Sequence, residues 1–327
     1  MKVELRSSFA GLESAWERLR ARSQADHLFL SYPWQSTWWA IFGRPDALHL
    51  ILVWDGDDLA GIAPLYREGT TLRFIGSADL TDYLDCLYRP DAAPILFEAL
   101  GNHLAEAGQL DLDLCCLRGG SPTLAHLRRL EAGSGGLFQV RVEEDDVCPA
   151  VELPSDWETY LARLTKKDRH ELRRKLRRLE TGHTVRHDRI ASIEALRAAW
   201  PDFFRLQALS RPEKAEFQTP LVREFFERVA EEIVPRGWLE MHCLAVDGVR
   251  VAAVICFAQG TELWLYNSGY DPAYRHLSVG LLLKALCLRQ ALESGKTRFD
   301  FLRGREPYKY DLGATDRPIY RARVARG

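Results

Sequence analysis

Residues 262–314 read ELWLYNSGYDPAYRHLSVGLLLKALCLRQALESGKTRFDFLRGREPYKYDLGA, and the order of patterns in this stretch decides the fold. The alternating aromatic and branched residues of Glu262–Tyr270 predict a strand. Asp271-Pro272 turns the chain, and the apolar run Val279–Ser294 predicts a long helix. Arg298–Leu302 returns as a second strand. Between the first strand and the helix lies Arg275-His276-Leu277-Ser278-Val279-Gly280. Its small residues, Ser278 and Gly280, let a ligand approach the backbone closely. The unpaired N–H groups and positive dipole end of the helix face the same place, which suits an anionic group such as pyrophosphate.

Working outward, Trp238–Val246 and Arg250–Gln259 predict two strands before this segment. Helices are predicted at Trp157–Leu164, Lys167–Thr181, Ile193–Leu209 and Leu221–Val234, and a last strand near Ile319–Val324. The first half repeats the grammar, with helices at Gly11–Arg22, Trp34–Phe42 and Ala92–Ala107. Its strands fall at Leu48–Asp55, Leu59–Arg67, Thr71–Ile75, Tyr83–Tyr88 and Asp111–Leu117. The class is therefore mixed α/β, an internal structural duplication with mostly antiparallel strands joined by tight turns. A chain of 327 residues has room for two such domains.

Charge divides the chain at the same place. The formal net charge of −2 combines an acidic first half, 13 Lys/Arg against 22 Asp/Glu over residues 1–150, with a basic second half, 31 against 24. The acidic half ends at Glu143-Glu144-Asp145-Asp146, which places the expected boundary between residues 147 and 148. No apolar run reaches the roughly 18 residues of a membrane helix, and the start lacks the pattern of a signal peptide. A soluble, cytoplasmic protein is expected. The seven cysteines are scattered without C-x-x-C or zinc spacing. They read as free, buried thiols, and no structural metal is expected.

Arg275-x-x-Ser278-x-Gly280 resembles the pyrophosphate-binding turn of the GCN5-related N-acetyltransferase (GNAT) superfamily, whose usual pattern is Arg/Gln-x-x-Gly-x-Gly/Ala. Asp300-Phe-Leu-Arg-Gly-Arg-Glu-Pro-Tyr-Lys309 and the element order look like the CelD/BcsL branch associated with cellulose and other exopolysaccharides. That branch is related to the FemAB-type transferases, which also have two such domains. In the first half, Gly76-Ser-Ala-Asp-Leu-Thr-Asp82-Tyr83-Leu-Asp85 matches the branch's Asp-Tyr segment. The resemblance implies tandem GNAT-like domains, with acyl-CoA, in acetyl form by family habit, bound by the second. Tyr266 and Arg275–Gly280 would hold it. Ser278 stands where Gly is usual, and its β-carbon is tolerable if φ is negative.

The resemblance further implies that the acyl arm enters between splayed strands Glu262–Tyr270 and Arg298–Leu302, so the latter strand and the loop after it face the reacting carbonyl. Attack of an amine on a thioester needs positioning, a proton acceptor and oxyanion stabilisation. Asp300 or Glu306 is the candidate base, a desolvated carboxylate having a raised pKa. An Asp300–Arg303 pair that fixes the loop is the structural alternative. Tyr308 is the candidate acid or oxyanion donor. Lys309 is expected to pair with an anionic ligand or a nearby carboxylate. By resemblance Asp82 and Tyr83, with Arg303 and Lys309, meet the amine acceptor in the gap separating the halves.

Two other stretches stand out. Arg163–Arg178, RLTKKDRHELRRKLRR, predicts an amphipathic basic helix. It reads as a solvated face, or as a contact for the 3′-phosphate of CoA, an anionic glycan or the acceptor arm of a tRNA. Trp34, Trp38 and Trp39 lie at helical spacing and read as core. The leading functional expectation is an N-acyltransferase acting on an amino sugar or cell-envelope precursor, without metal, DNA partner or membrane span. The alternatives are aminoacyl-tRNA-dependent transfer of FemAB type and a catalytically degenerate glycan-binding scaffold.

Overall fold

The computed structural model describes residues 1–326 apart from 77–78, 108–109 and 134–137. Part of the Gly76–Asp85 segment thus lies outside the described residues. The chain forms two compact units, residues 1–146 with 318–327, and residues 147–317.

In the first unit the strands are β1 (Lys2–Arg6), β2 (Leu48–Asp55), β3 (Asp58–Glu68), β4 (Thr71–Phe74), β5 (Leu87–Tyr88), β6 (Asp111–Arg118) and β7 (Phe138–Val147). The helices are α1 (Glu13–Arg20), α2 (Tyr32–Phe42), α3 (Ala93–Ala107) and α4 (Pro122–Ala132). In the second unit β8 (Ala150–Glu152) precedes α5 (Trp157–Arg163) and α6 (Lys166–Glu180), then β9 (Val185–Ile190). Helices α7 (Ile193–Ser210), α8 (Pro212–Phe217) and α9 (Pro220–Ile233) lead to β10 (Leu239–Val246), β11 (Val249–Gln259) and β12 (Glu262–Tyr270). Helix α10 (Val279–Glu293), β13 (Arg298–Asp300) and α11 (Pro307–Asp311) follow, and β14 (Pro318–Arg326) is last.

The first sheet runs β1-β2-β3-β4-β6-β14-β7, with β5 also on β3; the second runs β8-β13-β12-β11-β10-β9. Both are mixed, with one parallel pair each, β4 on β6 and β12 on β13, among the registers described. Trp34 and Trp38 are buried, so the tryptophans of α2 serve mainly as core. Six cysteines are buried and Cys115 is half-buried, all seven as free thiols.

In the first unit two strands depart from the sequence reading. The last strand was expected to complete the second half, yet β14 pairs antiparallel with β6 of the first unit, Ile319 opposite Arg118 and Val324 opposite Leu112. The acidic run read as the end of the first half belongs to a strand, β7, neighbour to β14. Charge explains both. Arg321 binds Asp113 and lies 4.0 Å from Asp145, and Arg323 binds Glu143. The acids of the first unit are thus met by arginines from the far end of the chain.

In the second unit the core lies under α10, where Leu282, Leu283, Cys287 and Leu288 pack against β10, β11 and β12. The other face of β12 is approached by α7 so closely that it excludes a side chain. A Cβ at Gly269 would lie 2.2 Å from the backbone nitrogen of Gln207 and 2.3 Å from the carbonyl carbon of Leu206. Gly269→Ala should therefore destabilise the protein by about 1–3 kcal/mol, the usual range for overpacking. A chemical denaturation midpoint unchanged from wild type would refute that close approach.

Candidate active site

The site forms where β12 and β13 part. They pair in parallel at Glu262–Arg298, Leu263–Phe299 and Trp264–Asp300; β13 then ends, while β12 continues to Tyr270. A cavity of about 280 Å³ opens beyond the divergence. Ser268 and Tyr270 of β12 line it on one side and Glu306 and Tyr308 on the other, with the start of α10 and the α7–α8 corner completing the wall. Ligand sites at the carboxyl ends of strands flanking a crossover helix are a recurrent outcome of such topology.

The turn before α10 is a 3-10 segment, Pro272–Leu277, started by Asp271, whose side chain accepts a hydrogen bond from the Ala273 N–H. Ser278 ends it in the left-handed region, φ +58° and ψ +32°. The condition of a negative φ at Ser278 is thus not met: the serine adopts the conformation that makes Gly usual there, at a cost of about 1–2 kcal/mol. Gly280 is also explained differently from the sequence reading. A Cβ there would come within 2.9 Å of the Tyr270 ring, so the room serves packing of β12 against the helix. Among the described residues the N–H groups of Val279 and Gly280 have no hydrogen-bond acceptor, since Leu281 and Leu282 take the Ser278 carbonyl. The guanidinium groups of Arg275 and Arg211, both lining the cavity, make no hydrogen bond or ion pair among the described residues. Two orphan donors and two unmatched cations together make a corner whose chemistry suits an anion. On its flank Arg178 of the basic helix α6 donates to Ser278 Oγ at 3.4 Å.

The remaining residues of the turn contribute otherwise. Leu277 and Val279 are buried in the core. His276 is exposed, with Nδ1 3.2 Å from the Ala273 carbonyl. Tyr266 stands apart from the cavity lining, its ring against Phe257 and Phe226 at 4.8 and 5.7 Å.

The loop after β13 is organised by Lys309. Its buried ammonium donates to the carbonyls of Leu302, Arg303 and Gly304 at 2.8–2.9 Å. With all three protons so directed, it stands 2.9 Å from Glu306 Oε2 as an ion pair without a hydrogen bond. The wrap forces Leu302 to φ +55°, and Asp300, fully buried, accepts the Leu302 N–H at 2.8 Å. Neither Asp300, Arg303 nor Lys309 lines the cavity; Glu306 and Tyr308 do. Burial pushes the Glu306 carboxyl up, but Lys309 outweighs it and holds the pKa below the usual range. Burial and the neighbouring Glu306 push the Tyr308 hydroxyl well above its ordinary value, so it remains a neutral donor. In the first unit Tyr83 is buried, with the Arg118 guanidinium 4.6 Å from its ring centre, and Asp82 is half-buried.

Two lysines that the sequence reading did not single out complete the site. Lys284, one turn into α10, donates to the Gly280 carbonyl at 3.0 Å and lies 4.6 Å from the Tyr308 ring centre. Burial, then the charge of Lys214, lowers its pKa to about 7. Lys214 of α8 donates to the Ser268 carbonyl, and burial followed by Arg211 lowers its pKa to about 8. Lys284 had a legible signal, one charge amid LLLKALCL; Lys214, in the polar stretch PEKAEF, had none.

Residues 166–310 match the family described as an acetyltransferase (GNAT) domain. The fold is GNAT-like. It is similar to the solved structure of FemX, 11% identical with a TM-score of 0.61 over 98% of this chain and 97% of that one. It is similar also to L-PGS from Bacillus licheniformis, 14% identical, TM-score 0.57, covering 94% and 90%. An acetyltransferase of the GNAT family from Colwellia psychrerythraea is 12% identical, TM-score 0.52, over 99% and 100%. No curated protein matches the sequence. No helix among the described residues is long and apolar enough to cross a membrane.

The lowered pKa of Lys284 has a stability consequence. The unfolded lysine, near 10.4, binds more protons than the folded one between pH 7 and 10, so its burial penalty is full below pH 7 and fades as pH rises. Lys284→Met should therefore be more stable than wild type at pH 7. The difference should shrink by roughly 1 kcal/mol per pH unit up to about pH 10. Parallel stability–pH curves for the two proteins would show that Lys284 is not perturbed.

Proposed function

We propose that the second unit is an N-acyltransferase that takes its acyl group, acetyl in the simplest case, from acyl-CoA and delivers it to an amine. One observation carries this reading: the anion site at Val279–Gly280 opens into the same cavity as a lysine poised near neutrality and a protonated tyrosine. The orphan N–H groups, with Arg275 and Arg211, suit the pyrophosphate of CoA, and α6 offers further cations to its 3′-phosphate. The cavity is large enough for a thioester end and not for the nucleotide, which fits a long donor held partly outside it.

In this scheme an incoming ammonium loses its proton to neutral Lys284, directly or through one water. The freed amine attacks the thioester carbonyl, and the Tyr308 hydroxyl donates a hydrogen bond to the developing oxyanion. Collapse expels the CoA thiolate, which takes the proton the attacking nitrogen still carries in the intermediate and so leaves the neutral amide, while the Lys284 ammonium releases its proton to solvent and regenerates the base. Glu306, paired with Lys309 and ionised, attracts the cationic acceptor instead of serving as base. Asp300, buried and bonded to Leu302, holds the loop.

A second reading, aminoacyl transfer from charged tRNA, is favoured by α6. Its exposed Lys166, Lys167, Arg173, Arg174 and Arg177 extend a positive face that ends at Arg178 beside Ser278. The fold shared with FemX agrees with it. Calorimetry distinguishes the two. The first reading expects acetyl-CoA to bind saturably and Arg275→Ala to weaken it about tenfold or more, as loss of a charged contact does. Saturable binding of charged tRNA without CoA affinity supports the second, and binding of neither overturns both. On the first reading, turnover in wild type should fall as pH drops through about 7, the limb set by Lys284. Tyr308→Phe should lower kcat more than it changes KM.

A further inference from the structure

The second unit carries a cluster on its other flank that the transfer chemistry does not use. His187 of β9 and His242 of β10 sit diagonally across one strand pair, His187 being opposite Leu244, on the sheet face covered by α10. Cys287 reaches them from that helix. One ligating atom from each of the three lies within 4.8 Å of the others. His187 Nε2 and His242 Nδ1 are 3.0 Å apart.

We propose that His187 Nε2, His242 Nδ1 and Cys287 Sγ bind one thiophilic d10 cation of the Zn²⁺ type. Around a tetrahedral zinc, with bonds of about 2.0–2.3 Å, neighbouring ligand atoms stand roughly 3.3–3.8 Å apart. The cluster reaches that spacing by shifts of a few tenths of an ångström to about one ångström, within the freedom of side chains. Softness favours the choice, since a thiolate with two imidazoles selects zinc over magnesium or calcium.

The surroundings are arranged as a metal's outer ligands usually are. His242, fully buried, has its Nε2 2.9 Å from Glu240 Oε1. Glu240 is held in turn by Arg189 at 2.5 Å. A carboxylate on the far nitrogen fixes the tautomer that leaves Nδ1 free to ligate. Cys256, a second buried free thiol, belongs to the same core as Cys287. His187 is half-buried on the edge strand β9, which provides the entry path. The three residues are far apart in sequence, which is why spacing predicts no metal; the convergence exists in the folded sheet alone. An ion there would tie the edge strand to the helix that also carries Lys284.

The test uses the full chain stripped of metal and titrated with Co²⁺. A thiolate-to-cobalt charge-transfer band and tetrahedral d–d absorption should saturate at one equivalent, disappear when Zn²⁺ is added, and be accompanied by a higher melting temperature. Cys287→Ser should abolish the charge-transfer band, and Glu240→Gln should weaken Zn²⁺ binding about tenfold by loosening His242. Should Cys287→Ser fail to fold, His187→Ala, at the sheet edge, should still lose stoichiometric binding. Folded wild type that gives no cobalt absorption overturns the proposal. So does a full-strength band in Cys287→Ser, which would assign binding to another thiol, or wild-type affinity in His187→Ala.

Discussion

The parallel pairing of β12 with β13 lasts three residues and then stops, and the second unit's chemistry depends on that brevity. Had the ladder continued, backbone hydrogen bonds would fill the space that Ser268, Tyr270, Glu306 and Tyr308 now line. Lys309 holds the strands apart. Its ammonium gathers three carbonyls of the chain leaving β13 and bends it away from β12. A buried cation is tolerable there because every proton has an acceptor and a carboxylate stands beside it.

Within the cavity the same low dielectric acts in opposite directions on different groups. Lys214 and Lys284 are pushed toward neutrality, Tyr308 is kept protonated, and Glu306 stays ionised because the Lys309 ammonium lies 2.9 Å from it. The base, donor and counter-charge of the proposed transfer are thus distinguished by environment, not by residue type. A carboxylate is the usual first guess for a base, but Asp300 is buried holding this loop and Glu306 is ion-paired with Lys309.

The elements with strong periodicity were legible from sequence. Glu262–Tyr270 is a strand as read, and Val279–Glu293 is the long helix shortened by one residue. The basic helix was equally plain, as nine cations and a leucine stripe predict. Elements whose patterns are dominated by charge were not. The strand Val185–Ile190, VRHDRI, is an edge with polar residues on both faces, and β7 hides its alternation behind EEDD. Only the partner arginines of β14, some 180 residues away, make sense of those acids. At the site, the turn and Tyr308 were visible as motif and neighbourhood. The weight of Lys284 was not, because a pKa depends on what surrounds a side chain in space.

The return of β14 to the first sheet makes residues 147–317 an insertion in a domain whose strands come from both ends of the chain. During synthesis the β6 edge that β14 will cover stays open while the whole second unit leaves the ribosome. The inserted unit, contiguous in sequence, is free to finish folding first, although it emerges later. The acidic strand must wait for the basic one. Its self-repelling charges keep that waiting edge soluble and discourage it from pairing with a neighbouring nascent chain.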